Sequence, residues 1–180
     1  MSSIFGDRLD AFEAALGHRF VDRSLIQRAL THSSFANESA RVSGRDNETL
    51  EFLGDSILGF LVAERLFNAF PDFREGALSK ARSHLVSEAH FASLARRLGI
   101  GDLLLLAVGE SRSGGRLRDS LLADAFEAVF AALYLDAGLE KTRGVVADLF
   151  RDHIARLDPA DISFQDYKTA LQEIAQAQGK

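Results

Sequence analysis

Apolar residues recur at three- and four-residue spacing along nearly the whole chain, which is the period of helices. Leu9, Phe12, Ala15 and Leu16 share one helical face, and Gly17 follows as a stop. Asp22 stands where an N-cap belongs, ahead of Leu25, Ile26, Ala29 and Leu30. Residues 32–46 are rich in Ser, Asn and Arg and read as a loop. A long apolar helix is expected from about Asn47 to Phe70, ended around Pro71. Leu78 to Leu98 is helical, with a break near Ser87, where Ser87 followed by Glu88 resembles a fresh start, and Gly99 closes it. After a short apolar run, residues 102–108, Gly109 to Asp119 read as a flexible basic loop. A second very apolar helix covers Ser120 to Ala137 and ends at Gly138; another runs from about Glu140 to Leu157. Pro159 breaks the pattern. No strand alternation and no internal repeat is visible, so residues 1–157 are expected to form an all-α domain, followed by a linker over 158–163 and a Gln-rich helix over 164–180.

Composition narrows the class without deciding it. A chain of 180 residues, 47% hydrophobic and 26% charged, suits one soluble globular domain with a fragment of a second. The absence of Cys excludes disulfides and thiolate metal sites. The N-terminus has charges spaced throughout, unlike a signal peptide, and the longest apolar stretches, Ile57 to Ala63 and Val129 to Leu135, are too short to span a bilayer, so a cytoplasmic location is expected. A net charge of −5 argues mildly against nucleic acid, unless acids gathered around bound cations reverse the local field.

Candidate chemistry sits in the two most apolar helices. Thr49 to Ala63 is apolar on nearly every face, the mark of a helix buried in a core, and carries only Glu51 and Asp55 as charges, at i and i+4 and so on one face, with Glu48 a turn earlier. Leu121 to Leu135 carries only Asp124 and Glu127, at i and i+3. Like charges at such spacing repel, and carboxylates in a buried helix are costly unless compensated. Salt bridges to neighbouring helices, raised pKa values or bound hard cations would each compensate. Repetition of the design in two helices favours a shared metal site of four carboxylates, without indicating the substrate.

NETLEFLGDSIL (Asn47 to Leu58) resembles the signature of bacterial ribonuclease III, the double-stranded-RNA endonuclease. The resemblance extends through GESRSGGRLRDSLLADAFEA (Gly109 to Ala128) and LTHSSFANE (Leu30 to Glu38), covering the first domain in order. It implies an all-α endonuclease domain of the ribonuclease III type. Glu51, Asp124 and Glu127 match the family's Mg²⁺ ligands, with Mn²⁺ as a substitute; Asp55 matches the acid that completes the cluster and is required for turnover, and Glu48 an acid just outside it. The implied reaction is metal-dependent hydrolysis of double-stranded RNA, leaving 5′-phosphate and 3′-hydroxyl ends with short 3′ overhangs, in the processing of ribosomal RNA precursors and other structured transcripts. Phe52, otherwise readable as core, matches an aromatic that enters a socket on the partner of a homodimer. Asp166 to Gln176 resembles the opening helix of an α+β double-stranded-RNA-binding domain, with Gln172 and Gln176 matching minor-groove contacts; the rest of that domain would lie beyond Lys180.

Other residues carry weaker signals. His32 lies in a family-like motif but has no second His or Cys nearby, so a structural hydrogen bond is expected rather than metal ligation. None of the five His precedes Asp, which removes the His-Asp phosphohydrolase signature. Arg112, Arg116 and Arg118, beside Gly114 and Gly115, read equally as a solvated loop or as contacts to the RNA backbone. Lys80, Arg82 and His84 read as a solvated helix face. Two rival functions remain at this level: an all-α, Mg²⁺-dependent nucleotide pyrophosphohydrolase, whose acidic pairs typically lie closer in sequence, and a non-catalytic dimeric RNA-binding scaffold, which would be expected to have lost acids that this chain keeps.

Overall fold

Nine α-helices and one 3₁₀ turn make up the described part of the computed structural model, residues 7–38 and 45–157. The linker and Gln-rich helix expected over 158–180, with Gln172 and Gln176, lie outside the described residues. In chain order the elements are α1 (Asp7–Leu16), α2 (Arg23–Ala29), α3 (Ser33–Glu38), α4 (Glu48–Ala69), α5 (Glu75–Leu85), α6 (Glu88–Arg97), α7 (Ile100–Leu103), α8 (Val108–Arg112), the 3₁₀ turn (Gly115–Leu117) and α9 (Asp119–Ala155).

The first half of α9 is the axis of the core. From Leu121 to Leu133 every side chain is buried except those of Asp124 and Glu127. Helices α2, α4 and α6 pack around it. Phe126 lies between Phe91 of α6 and Phe130, with ring centroids 5.1 and 4.7 Å away. At Gly138 (φ 78°, ψ 175°) the helix kinks, which yields the two helices that the sequence predicts on either side. Only glycine adopts that backbone readily.

Local signals hold where they rest on capping. Asp22 accepts a hydrogen bond from Ser24 N (2.9 Å) at the start of α2, and Ser87 Oγ accepts from His90 N at the start of α6. The Asp22 loop is also pinned from afar: Asp136, at the end of the buried half of α9, accepts from His18 Nε2, Val21 N and Asp22 N at 2.8–3.0 Å.

Three expectations need correction. The polar stretch 32–46 is not all loop, because Ser33–Glu38 is helical. A parallel bridge between Thr31 and Leu105 holds it, and Ala107 N donates to Ser34 Oγ (3.1 Å); these partners are distant in sequence, so composition could not reveal them. Gly109–Asp119 is not a flexible loop but α8 and the 3₁₀ turn folded around Glu110. Gly114 takes a left-handed φ of 86°, and a Cβ on Gly115 would stand 2.8 Å from Glu110 O. Arg118 pairs with Glu110 at 2.8 Å, in an alignment too poor for a hydrogen bond. Arg116 donates to Gly101 O (2.9 Å). Finally, α4 is not buried on every face. Leu50, Ile57, Leu58, Leu61 and Leu66 face the core, whereas Phe52, Phe60 and Phe67 are 78%, 52% and 68% exposed.

Candidate active site

Helices α4 and α9 touch backbone to backbone at the acids. A Cβ added to Gly54 would lie 1.9 Å from the carbonyl oxygen of Glu127, so only glycine permits this approach. Gly54 stands between Glu51 and Asp55, one turn of helix holding all three. The seam that lacks a side chain is therefore the seam that brings the carboxylates together.

The ligand oxygens of Glu51, Asp124 and Glu127 lie within 4.8 Å of one another, and all three residues are half-buried. Asp55 stands outside this group and is exposed. Burial pushes the Glu127 carboxyl up to about 8, aided by the charges of Asp55, Glu51 and Asp124 in that order. Glu51 is raised by burial and then by Asp124, Glu48, Asp46 and Asp55. Asp124 is raised by burial and by Glu88, while His32 pulls it down. Among the described residues no Lys or Arg forms an ion pair with Glu51, Asp55, Asp124 or Glu127. Clustered carboxylates that lack a basic partner and resist ionisation are short of positive charge. The donor set is all oxygen, which suits hard cations such as Mg²⁺ or Mn²⁺.

The remaining residues singled out from the sequence divide. Glu48, exposed at the first turn of α4, adds to the field on Glu51 without joining the cluster. Phe52, on the exposed face of α4, is not core. Arg112 is exposed, while Arg116 and Arg118 have the internal partners described above. Lys80, Arg82 and His84 are exposed on α5. His32 makes the structural hydrogen bond expected of it, to Ser34 Oγ at 2.8 Å, and is not part of the ligand group. Two residues were missed. Gly54 had only a partial signal: glycine inside an apolar helix indicates a close approach, but Gly59 of the same helix reads alike and a Cβ there would meet nothing within 4 Å. Glu88 had none, because its nearness to Asp124 depends on how α6 packs against α9.

A family model described as ribonuclease-III-like matches residues 22–153. Ribonuclease 3 of Syntrophobacter fumaroxidans is 44% identical over 97% of this chain and 73% of that protein. The crystal structure of the nuclease domain of ribonuclease III from Campylobacter jejuni superposes with a TM-score of 0.76 at 39% identity, covering 83% of this chain and 98% of that one. A second structure of that domain, at 40% identity and TM-score 0.75 over 80% of this chain and 96% of that one, is described for structural flexibility in a region involved in dimer formation. The chain therefore belongs to the ribonuclease III family and is an endoribonuclease of that type.

Proposed function

We propose that this endoribonuclease hydrolyses phosphodiester bonds of double-stranded RNA with Mg²⁺, which Mn²⁺ can replace, and leaves 5′-phosphate and 3′-hydroxyl ends with short 3′ overhangs. The observation that carries the reading is the group of three half-buried carboxylates on two helices, which have no ion-pair partner among the described residues. Glu51, Asp124 and Glu127 would hold the cation, with Asp55 at the exposed rim. A divalent cation bound there supplies Lewis-acid polarisation of the phosphodiester and acidifies water. The chain's own part is to hold the carboxylates rigidly on α4 and α9, leaving Asp55 toward solvent and incoming substrate. Glu127, the acid whose ionisation is most strongly opposed, is the residue whose charge depends most on the cation.

The exposed Phe52, Phe60 and Phe67 on α4 support a homodimer. Two-fold symmetry would set two acidic centres along one cleft, each cutting one strand. The segment 164–180, with Gln172 and Gln176, and Arg112, Arg116 and Arg118 would add contacts to the RNA backbone or minor groove. Among the described residues no helix is long and apolar enough to cross a membrane.

Incubation with long duplex RNA, with and without Mg²⁺, tests the proposal. The expected products carry 5′-phosphates and two-ended staggered cuts. Hydrolysis of free nucleoside triphosphates without RNA cleavage would overturn it.

A further inference from the structure

His32 is held more firmly than a loop residue needs to be. Its backbone N donates to Leu105 O (3.1 Å), and Leu105 N donates to Leu30 O (2.8 Å). Thr31, beside it, accepts from Asn47 N (2.9 Å), which ties this strand-like segment to the residue that opens α4. The imidazole is fixed as well. Ser34 N can only donate, and it donates to His32 Nδ1 (3.2 Å), while Ser34 Oγ lies 2.8 Å from the same nitrogen and accepts from Ala107 N. Nδ1 is therefore an acceptor, and the proton of the neutral ring resides on Nε2.

That Nε2–H has no hydrogen-bond partner among the described residues, and the side chain is partly open to solvent. It stands within electrostatic reach of Asp124, yet its nitrogens fall outside the group of candidate ligands. A fixed, unused donor beside a cation site that must receive a phosphodiester is suited to a phosphate oxygen.

We propose that His32 is a substrate-positioning residue whose Nε2–H donates to a non-bridging oxygen of the RNA phosphodiester at the acidic centre. The inference rests on reading that centre as the site of RNA cleavage.

Three substitutions separate this role from that of a structural latch. Asparagine places its amide near Nδ1 and keeps an acceptor for Ser34 N; glutamine places its amide N–H near Nε2. With a synthetic RNA duplex and Mg²⁺, His32→Ala is expected to lower kcat by about 100-fold. His32→Gln should recover at least a tenth of wild-type kcat, and His32→Asn should stay near the Ala level. Mn²⁺ affinity, measured by calorimetry without RNA, should stay within about threefold of wild type in all three, which also shows that the folded acidic centre is intact. Wild-type-like cleavage by the Ala variant would overturn the proposal. So would a Gln variant no better than Ala, recovery by Asn equal to that by Gln, or a Mn²⁺ affinity that falls together with kcat. A wild-type chain that cuts no duplex would instead refute the parent reading, so the two failures are distinguishable.

Discussion

Helix α4 and the first half of α9 are written in the same style, an apolar run interrupted by one acidic pair, and they end in different surroundings. Every apolar side chain of α9 from Leu121 to Leu133 is buried. Helix α4 buries Leu50, Leu58 and Leu61 but leaves Phe52 78% exposed and Phe67 68% exposed. The difference is position: α9 is enclosed by α2, α4 and α6, whereas α4 packs against α9 and α5 and leaves Phe52, Phe60 and Phe67 outside those contacts. Apolar residues on all faces thus signal burial within one subunit for α9 and an unfinished surface for α4. The acids follow the same division. Glu127 of α9 is pushed up to about 8, while Asp55 of α4 is exposed at the rim.

The two helices depend on each other most where they meet. Gly54→Ala puts a methyl group 1.9 Å from Glu127 O, a backbone atom that cannot swing aside. The helices must separate, so cleavage should be abolished and the melting temperature should fall by several degrees or more, since overpacking costs about 1–3 kcal/mol and often more against backbone. A cleavage-competent variant would show that the seam tolerates separation. Next in size, Glu127→Gln keeps the shape and removes one charged ligand; cleavage in Mg²⁺ should fall by about 100-fold or more with the fold intact. Activity like that of the wild type would remove Glu127 from the centre.

Two phenylalanines sharpen the contrast. Phe126→Ala opens a hole in a fully buried cluster and should cost about 3–5 kcal/mol of unfolding free energy. Phe52→Ala should barely change the stability of a monomer, yet weaken a dimer by a comparable amount if the side chain fills a partner's pocket. Denaturant titration and sedimentation at several concentrations read the two effects separately. Equal losses of monomer stability would contradict the exposure of Phe52.

What the sequence made legible is what depends on neighbours within a few residues. The caps at Asp22 and Ser87, the stops at Gly17 and Gly99 and the kink at Gly138 all stand where local chemistry puts them. The acids could be grouped because each pair lies within one helical turn and both helices are too apolar for idle charges. Segments whose order comes from afar were misread: α3 is held through Leu105 and Ala107, and Gly109–Asp119 is organised by Glu110 and Gly101. Glu88 and the tautomer of His32 were hidden for the same reason, since Asp124 and Ser34 define them only after folding. The exposed face of α4 could not be told from a core face, because hydrophobicity records burial without stating by which chain.

The smallest effects concern pH, and here two half-buried groups tilt stability in opposite directions. Glu127 has a folded pKa of about 8 against 4.5 for an ordinary Glu, so its charged form is disfavoured by folding. In cation-free protein that penalty is absent below about pH 4.5, grows as pH rises and is complete above about 8. Glu127→Gln should therefore stabilise the EDTA-treated protein at pH 8, by about 1–3 kcal/mol after allowance for solvent screening, and have little effect near pH 5. His90 lies among His153, whose ring centroid is 4.5 Å away, His84 and Arg97, with its Nε2 buried and unpartnered. Burial first, then the charges of His153, His84 and Arg97, lower it to about 4 from 6.5. Its contribution is intact above pH 6.5 and is lost as pH falls toward 4, because the unfolded chain takes up the proton more readily. His90→Phe keeps the aromatic contact with Phe150 and removes the titration, so it should protect the protein by on the order of 1 kcal/mol at pH 5 and not at pH 8. Thermal melts of both variants between pH 5 and pH 8 give the two slopes. A His90→Phe benefit that does not grow on acidification would mean that the ring's surroundings already accommodate its charge.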